Sequence, residues 1–119
     1  MAEMTYVCSP YSHPDPAVRQ HRFHEVCRHA ARLMRAGEMI YSPIAHSHCI
    51  ARFGLPGDWG FWEGHSRAML ARCDRLAVLE LDGWQDSVGV RREIEIAQAM
   101  GIPVRHIVPE ANTPAGAGV

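Results

Sequence analysis

Short apolar segments alternate with longer amphipathic segments along this chain, and that alternation most limits the possible folds. Strands that alternate with helices form parallel sheets, because two parallel strands need a long crossover connection and a helix supplies it. The sequence therefore predicts a single-domain α/β protein of flavodoxin/Rossmann-like type, with a parallel sheet of four to five strands and helices on both faces. The predicted strands are residues 4–8, 38–42, 75–81 and 103–108, and the predicted helices are residues 17–36, 58–72 and 88–100.

The chain length and the cysteine pattern bound the domain and its setting. A chain of 119 residues is long enough for one core, and we expect one domain over residues 1–109. Residues 110–119 have no periodicity and are predicted to form a flexible tail. The four cysteines are widely separated, and neither a signal peptide nor an apolar run of membrane-spanning length is apparent. These features predict free thiols, no membrane partner and a cytoplasmic location.

The charge pattern excludes several functions. The formal net charge is −1, so the chain lacks the overall basic field that binds a nucleic acid polymer. All 12 basic residues are arginines, which excludes a lysine Schiff base and the lysine of a phosphate-binding P-loop. No zinc-like spacing of ligands is present: His46 and His48 form only a short cluster. We therefore expect neither a metal nor another cofactor, and a small molecule as the ligand.

The carboxyl ends of the predicted strands are the expected place for that ligand. In open parallel sheets, ligands bind where the strand order reverses, at this edge. Here the edge comprises residues 9–13, 42–48 and 82–87. Residues 43–57 are predicted to form a long connection, and long connections in compact domains are often functional.

Glu93 interrupts the apolar side of the last predicted helix. At about 100° per residue it falls within the apolar arc, whereas Glu95 falls on the polar side. A carboxylate buried without a partner is costly, so this placement indicates a hydrogen-bonding partner or a catalytic role. The alternative is a helix carboxylate that favours the helix dipole or pairs with an arginine. The apolar arc comprises Val90, Ile94, Ile96, Ala97 and Met100.

Ser87 and Gly89 begin the same helix. A serine before a glycine at a helix start presents a hydroxyl and free backbone N–H groups, which form an anion site. Ser87 is equally suited to be a plain N-cap, and the two roles are compatible.

Several segments resemble the nucleoside 2-deoxyribosyltransferase-like superfamily, and the closest similarity is to a short bacterial branch. The resemblance spans about residues 4–108. The segments that carry it are Tyr6-Val7-Cys8, Ser9-Pro10-Tyr11-Ser12, the run from Ser42 to Ser47, Cys73-Asp74, Gly83-Trp84 and the spacing of Ser87, Gly89, Val90, Glu93 and Ala97.

This resemblance implies cleavage or transfer at the N-glycosidic bond of a nucleoside or nucleotide. Glu93 matches the nucleophile that forms a glycosyl ester, and Tyr6 matches the tyrosine that orients it. Ser87 matches the position that favours a 5′-monophosphate, although the adjacent Asp86 would favour a free 5′-hydroxyl. We expect Ser87 and Gly89 to bind the 5′ end. Further substrate contacts are expected from Ser9, Tyr11, His46, Ser66 and Trp84.

Ser66 departs from the family pattern, which has an aspartate at this position to assist the leaving base. Serine has no pKa near neutrality and is a poor proton donor. Glu63 or His65 could substitute for the missing acid, although both are expected to be solvated helix residues. The alternative to an enzyme is a non-catalytic nucleotide-binding module that has lost this acid. A third possibility is a structural oligomerisation domain, and the resemblance itself implies a homo-oligomer.

Other polar and aromatic residues are expected to be less informative. We expect His21, His24 and His29 to be solvated on the first helix. The aromatic cluster of Trp59, Phe61 and Trp62 is expected to pack against the core or a second subunit. Arg19 and Arg22 lie on the basic face of the first helix and could approach a phosphate near residues 9–12.

Overall fold

The computed structural model describes residues 2–110 and confirms the predicted α/β fold. It contains one four-stranded parallel sheet with the strand order β2-β1-β3-β4. The strands are β1 (Met4–Cys8), β2 (Met39–Tyr41), β3 (Arg75–Leu79) and β4 (Val104–Ile107). The helices are α1 (Pro16–Arg35), α2 (Pro43–Ala51), α3 (Trp59–Leu70) and α4 (Val88–Ala99). Most of the predicted flexible tail lies outside the described residues.

The strand order places the expected binding crevice between β1 and β3. From β1 the chain moves outward to β2 and then returns to the other side of β1 to form β3. The connections that leave the carboxyl ends of β1 and β3 therefore lead to opposite faces of the sheet, which is the topological switch point of such folds.

Alternating residues of the strands build a separate core on each face of the sheet. One core joins Tyr6, Cys8 and Leu76 to α3 and α4, and the other joins Val7 and Ala77 to α1. Within residues 2–110, no helix is both long and apolar enough to cross a membrane. The four cysteines carry free thiols.

The long connection predicted over residues 43–57 is wrong in its first half, because residues Pro43–Ala51 form α2. Ser42 caps this helix by accepting a hydrogen bond from the Ala45 N–H at 3.1 Å, and Pro43 occupies its first turn. A capping serine followed by proline is a typical helix start. The two histidines expected on an extended segment are therefore on a helix, with His48 buried and His46 exposed.

Three residues have a burial that differs from the prediction. His29 was expected to be solvated, but it is fully buried. It tolerates burial because Nδ1 donates to the Glu25 carbonyl at 2.8 Å and Nε2 accepts from the Glu110 N–H at 3.2 Å. Helical periodicity places Met34 on the apolar stripe of the first helix and Met100 on that of the last helix, but they are 61% and 41% exposed. Both lie at a helix end, where the packing contact stops.

Candidate active site

Glu93 is held inside the domain by α4. The side chain of Ser87 caps this helix by accepting a hydrogen bond from the Val90 N–H at 3.2 Å. Val90, Ile96 and Ala97 bury one side of the helix against the sheet. Glu93 lies on the same side, in the second turn, and is only 6% exposed. The predicted burial of a carboxylate on the apolar face is therefore confirmed.

Two hydroxyl groups donate hydrogen bonds to the buried carboxylate. The Tyr6 O–H from β1 and the Ser66 O–H from α3 both donate to Glu93 Oε2, the latter at 3.1 Å. The two hydroxyl oxygens are 3.3 Å apart, so the three side chains form a closed triangle. Among residues 2–110, no hydrogen bond is made to Oε1. One carboxylate oxygen is thus fixed by two hydroxyl groups, and the other accepts no hydrogen bond from these residues.

Burial controls the protonation of this cluster. Removal from water raises the pKa of Glu93 to about 7, and the hydrogen bonds from Tyr6 and Ser66 oppose that rise. Burial, followed by the nearby Glu93 charge, raises the pKa of Tyr6 far above its ordinary value. The same two causes raise the pKa of the Cys8 thiol. Near neutral pH, Glu93 is therefore the one member of this group that exchanges a proton readily.

A line of aromatic rings leads from this cluster to the surface. The rings of Tyr6 and Tyr41 are adjacent across β1 and β2, with centroids 5.5 Å apart. The exposed ring of His46 lies 5.8 Å beyond Tyr41. The sequence predicts His46 as a substrate contact but did not lead us to expect Tyr41 beside Tyr6. The signal was the strand end at Tyr41, which is in register with Tyr6.

The other predicted contacts at this edge are less closely grouped. Ser87 is occupied as the helix cap, and Gly89 is half-buried in the first turn of α4. Trp84 packs partly against the core, and its ring centroid is 5.4 Å from that of His106. Ser9 is buried just after β1, and its Oγ has no hydrogen-bond partner among the described residues.

Tyr11 is directed away from Glu93, towards the face that carries α1 and α2. Its hydroxyl lies 2.6 Å from Nδ1 of His48, whose Nε2 lies 3.0 Å from Gln20 Oε1. The His48 ring stacks on Phe23 with a centroid distance of 4.1 Å. Burial, followed by the charge of Arg52, lowers the pKa of His48. Tyr11 therefore anchors the loop after β1 to both helices.

Two arginines of α1 also hold this loop. Arg19 donates to the His13 carbonyl, and Arg22 donates to the Ser12 carbonyl at 2.9 Å. Both side chains thus lie at the loop where the sequence places a possible phosphate contact, and that contact stays a prediction. Arg22 also lies against Gly83, which has a φ of 90°.

We expect Gly83→Ala to destabilise the protein by about 1–2 kcal/mol, since a Cβ at positive φ is strained. A Cβ there would also lie 2.7 Å from Nη2 of Arg22, which must move. Gly37→Ala is the matched control, because Gly37 has a φ of 93° but no atom of residues 2–110 within 4 Å of its Cβ position. Urea unfolding of both variants measures the difference. An equal loss in both would show that the Arg22 contact contributes nothing.

The family comparison agrees with the extent of the folded domain. A family described as a domain of unknown function, DUF1937, matches residues 3–108. The chain belongs to the DUF1937 family. A search of the curated proteins found no match to this DUF1937 domain.

Glu63 and His65, the possible substitutes for the missing acid, do not hydrogen-bond to Glu93. Glu63 of the DUF1937 domain is ion-paired with Arg67 at 2.7 Å, and His65 is exposed. Two cavities lie away from the Glu93 cluster. One of about 500 Å³ lies beside α1, on the opposite face of the sheet, and one of about 300 Å³ lies between α3 and α4. Glu93 lines neither cavity.

The three residues of the predicted aromatic cluster are not fully buried. Trp59 packs against the core, and Trp62 Nε1 donates to the Pro56 carbonyl at 2.8 Å. Phe61 is 38% exposed. Within residues 2–110, no three His, Cys, Asp or Glu side chains group closely enough to hold a metal ion.

Proposed function

We propose that this domain cleaves the N-glycosidic bond of a nucleoside or nucleoside 5′-monophosphate through a covalent intermediate on Glu93. The observation that carries the proposal is the asymmetric carboxylate: Oε2 accepts hydrogen bonds from Tyr6 and Ser66, while Oε1 accepts none from residues 2–110. A carboxylate held in this way has a fixed direction of attack.

The proposed reaction has two steps. Oε1 of Glu93 bonds to the anomeric carbon C1′ as the C1′–N bond breaks, and the electron pair of that bond leaves with the base. Water or a second base then bonds to C1′, the ester bond to Glu93 breaks, and the proton that the incoming group loses passes through solvent to the departed base. The negative carboxylate stabilises the positive charge that develops on the sugar. Tyr6 and Ser66 keep Oε2 in place during both steps.

Membership of the nucleoside 2-deoxyribosyltransferase-like superfamily is part of this proposal. The parallel strand order and the contact between Tyr6 and Glu93 support it. On that basis the start of α4, with Ser87 and Gly89, would bind the 5′ end of the substrate. Ser9, with its unpartnered hydroxyl at the end of β1, and Trp84 would line the same edge.

The test is release of free base from a panel of nucleosides and nucleoside 5′-monophosphates, measured by chromatography. Glu93→Gln is expected to reduce the rate by at least about 1,000-fold, since it removes the nucleophile but keeps the side-chain shape. Mass spectrometry of acid-quenched enzyme should show the sugar attached to the peptide that contains Glu93. Base release at the same rate by wild type and Glu93→Gln would refute the proposal.

The second candidate is a non-catalytic nucleotide-binding module, which Ser66 favours because it supplies no acid. This candidate predicts nucleotide binding by calorimetry without base release.

We further propose a homo-oligomer, because Phe53 and Ile50 at the end of α2 are 89% and 47% exposed. Light scattering of the purified protein measures the oligomeric state, and a monomer at all concentrations would contradict it.

A further inference from the structure

No acidic side chain or histidine among the described residues hydrogen-bonds to the Glu93 cluster, and the ring of Tyr41 separates the exposed His46 ring from Tyr6. Among residues 2–110, only Tyr6 and Ser66 hydrogen-bond to Glu93. A serine hydroxyl has no pKa near neutrality, and burial raises the pKa of Tyr6 far above its ordinary value. Both protons are also committed to Oε2. A positioned general acid contributes about 100-fold to 10,000-fold to a rate, so a neutral purine or pyrimidine would leave slowly.

The same cluster is well suited to a positively charged ring. Within the described residues, no arginine or histidine pairs with Glu93, so its negative charge is not neutralised by a neighbouring cation. The Tyr6 ring beside Glu93 is fully buried, and the half-buried ring of Tyr41 and the exposed ring of His46 continue from it to the surface. Aromatic faces attract cations, and a planar cationic ring can also stack on them.

We propose that the preferred substrates are N-glycosides whose leaving group is a cationic nitrogen heterocycle, such as a pyridinium or an N-methylated purine. This inference rests on the proposed function. Oε1 of Glu93 bonds to C1′ as the C1′–N bond breaks, and the electron pair of that bond neutralises the positive ring nitrogen. The ring departs as a neutral molecule and takes no proton. Water then bonds to C1′, the bond between C1′ and Oε1 breaks, and the water proton passes to solvent.

Matched pairs of substrates test this inference with the wild-type protein. The first pair is 7-methylguanosine 5′-monophosphate and guanosine 5′-monophosphate, which differ by one methyl group and the charge of the base. The second pair is nicotinamide mononucleotide and its reduced dihydropyridine form, which differ in the charge of the ring. Base release is measured by chromatography, and the rate with Glu93→Gln is subtracted.

We expect kcat/KM for the cationic member of each pair to exceed that of its neutral partner by about 100-fold or more. Equal or faster turnover of the neutral member in either pair would overturn the inference while leaving the proposed function intact. Absence of Glu93-dependent turnover with all four compounds would overturn the inference, and the same absence with the nucleoside panel would overturn the proposed function.

Variants of Ser66 show whether the missing acid causes the preference. Ser66→Asp introduces a proton donor. We expect it to reduce the ratio of kcat/KM for the cationic substrate to kcat/KM for its neutral partner by at least about tenfold. Ser66→Asn is the matched control, since it has a similar size but no acidic proton, and its preference should remain. An unchanged preference in a folded Ser66→Asp variant would count against the inference. If that variant does not fold, the comparison of wild-type substrates decides alone.

Discussion

Replacing Glu93 with glutamine is expected to stabilise the protein by about 3 kcal/mol at about pH 8 and to have little effect at about pH 4. Burial raises the pKa of Glu93 to about 7 in the folded protein, from an ordinary value of 4.5. The folded state therefore holds a proton that the unfolded state has lost between these two pH values. Wild-type stability should fall as pH rises through this window and level off above it. Glutamine carries no charge, so the variant lacks this loss.

Urea unfolding at several pH values measures the difference between the two proteins. Glu95→Gln is the matched control, because Glu95 lies on the same helix but is exposed and makes only a 3.6 Å ion pair with Arg92. Exposed ion pairs contribute little, so the stability of this variant should follow that of wild type within about 1 kcal/mol. Parallel stability curves for wild type and Glu93→Gln would show that Glu93 ionises as it does in water.

This expected gain in stability has a functional meaning. A side chain that lowers stability at neutral pH serves no purpose in packing, since glutamine would fill the same space. Functional sites are where such local costs are usually found. The same substitution is expected to stabilise the fold and to remove the proposed nucleophile. A structural role for Glu93 would instead predict that its replacement weakens the protein at every pH.

The fold was largely predictable because its signals are local. Apolar strands alternate with amphipathic helices, and this pattern alone implies a parallel sheet. The burial of Glu93 also followed from helical periodicity, since its position relative to Val90 and Ala97 is set by geometry within one helix. The predicted apolar arc was wrong at Met100 because periodicity carries no information about where a packing contact ends.

The helix α2 was missed although its start was marked by Ser42 and Pro43. The polar histidines His46 and His48 obscured the pattern, since the burial of His48 depends on partners elsewhere in the chain. Those partners are Tyr11 and Gln20, whose contacts could not be read from a local window. The same limit explains His29, which is buried because both ring nitrogens are satisfied.

The composition of the candidate site depended on contacts between distant elements. Ser66 and Glu93 are 27 residues apart, and Tyr6 and Glu93 are 87 apart. Only the packing of α3 and α4 against β1 brings the three together. Periodicity identified Glu93 as unusual, the family resemblance predicted Tyr6 as its partner, and the hydrogen bond from Ser66 was not predicted. The structure adds that Tyr6 and Ser66 contact the same carboxylate oxygen, and in the proposed reaction this detail leaves Oε1 as the oxygen that attacks.

Tyr6→Phe is expected to move the ionisation of Glu93 to higher pH by about one unit or more. The Tyr6 O–H donates a hydrogen bond to the carboxylate, and this contact lowers the pKa of Glu93 against the effect of burial. A hydrogen bond to a charged group contributes about 1.5–3 kcal/mol, and one pKa unit corresponds to about 1.4 kcal/mol. The proposed nucleophile must be ionised, so kcat/KM should rise with pH. The midpoint of this rise should lie near pH 7 in wild type and above about pH 8 in the variant.

Two measurements follow this ionisation, and one does not need activity. The pH profile of base release reports the reactive form, and carbon-13 NMR of labelled glutamate carboxyl groups reports the charge of Glu93 directly. Tyr41→Phe is the matched control, since its ring is adjacent to Tyr6 but its hydroxyl makes no hydrogen bond to Glu93. Its midpoint should stay close to that of wild type. A rate that falls as pH rises through 7 would assign Glu93 the role of a proton donor and refute its role as the nucleophile.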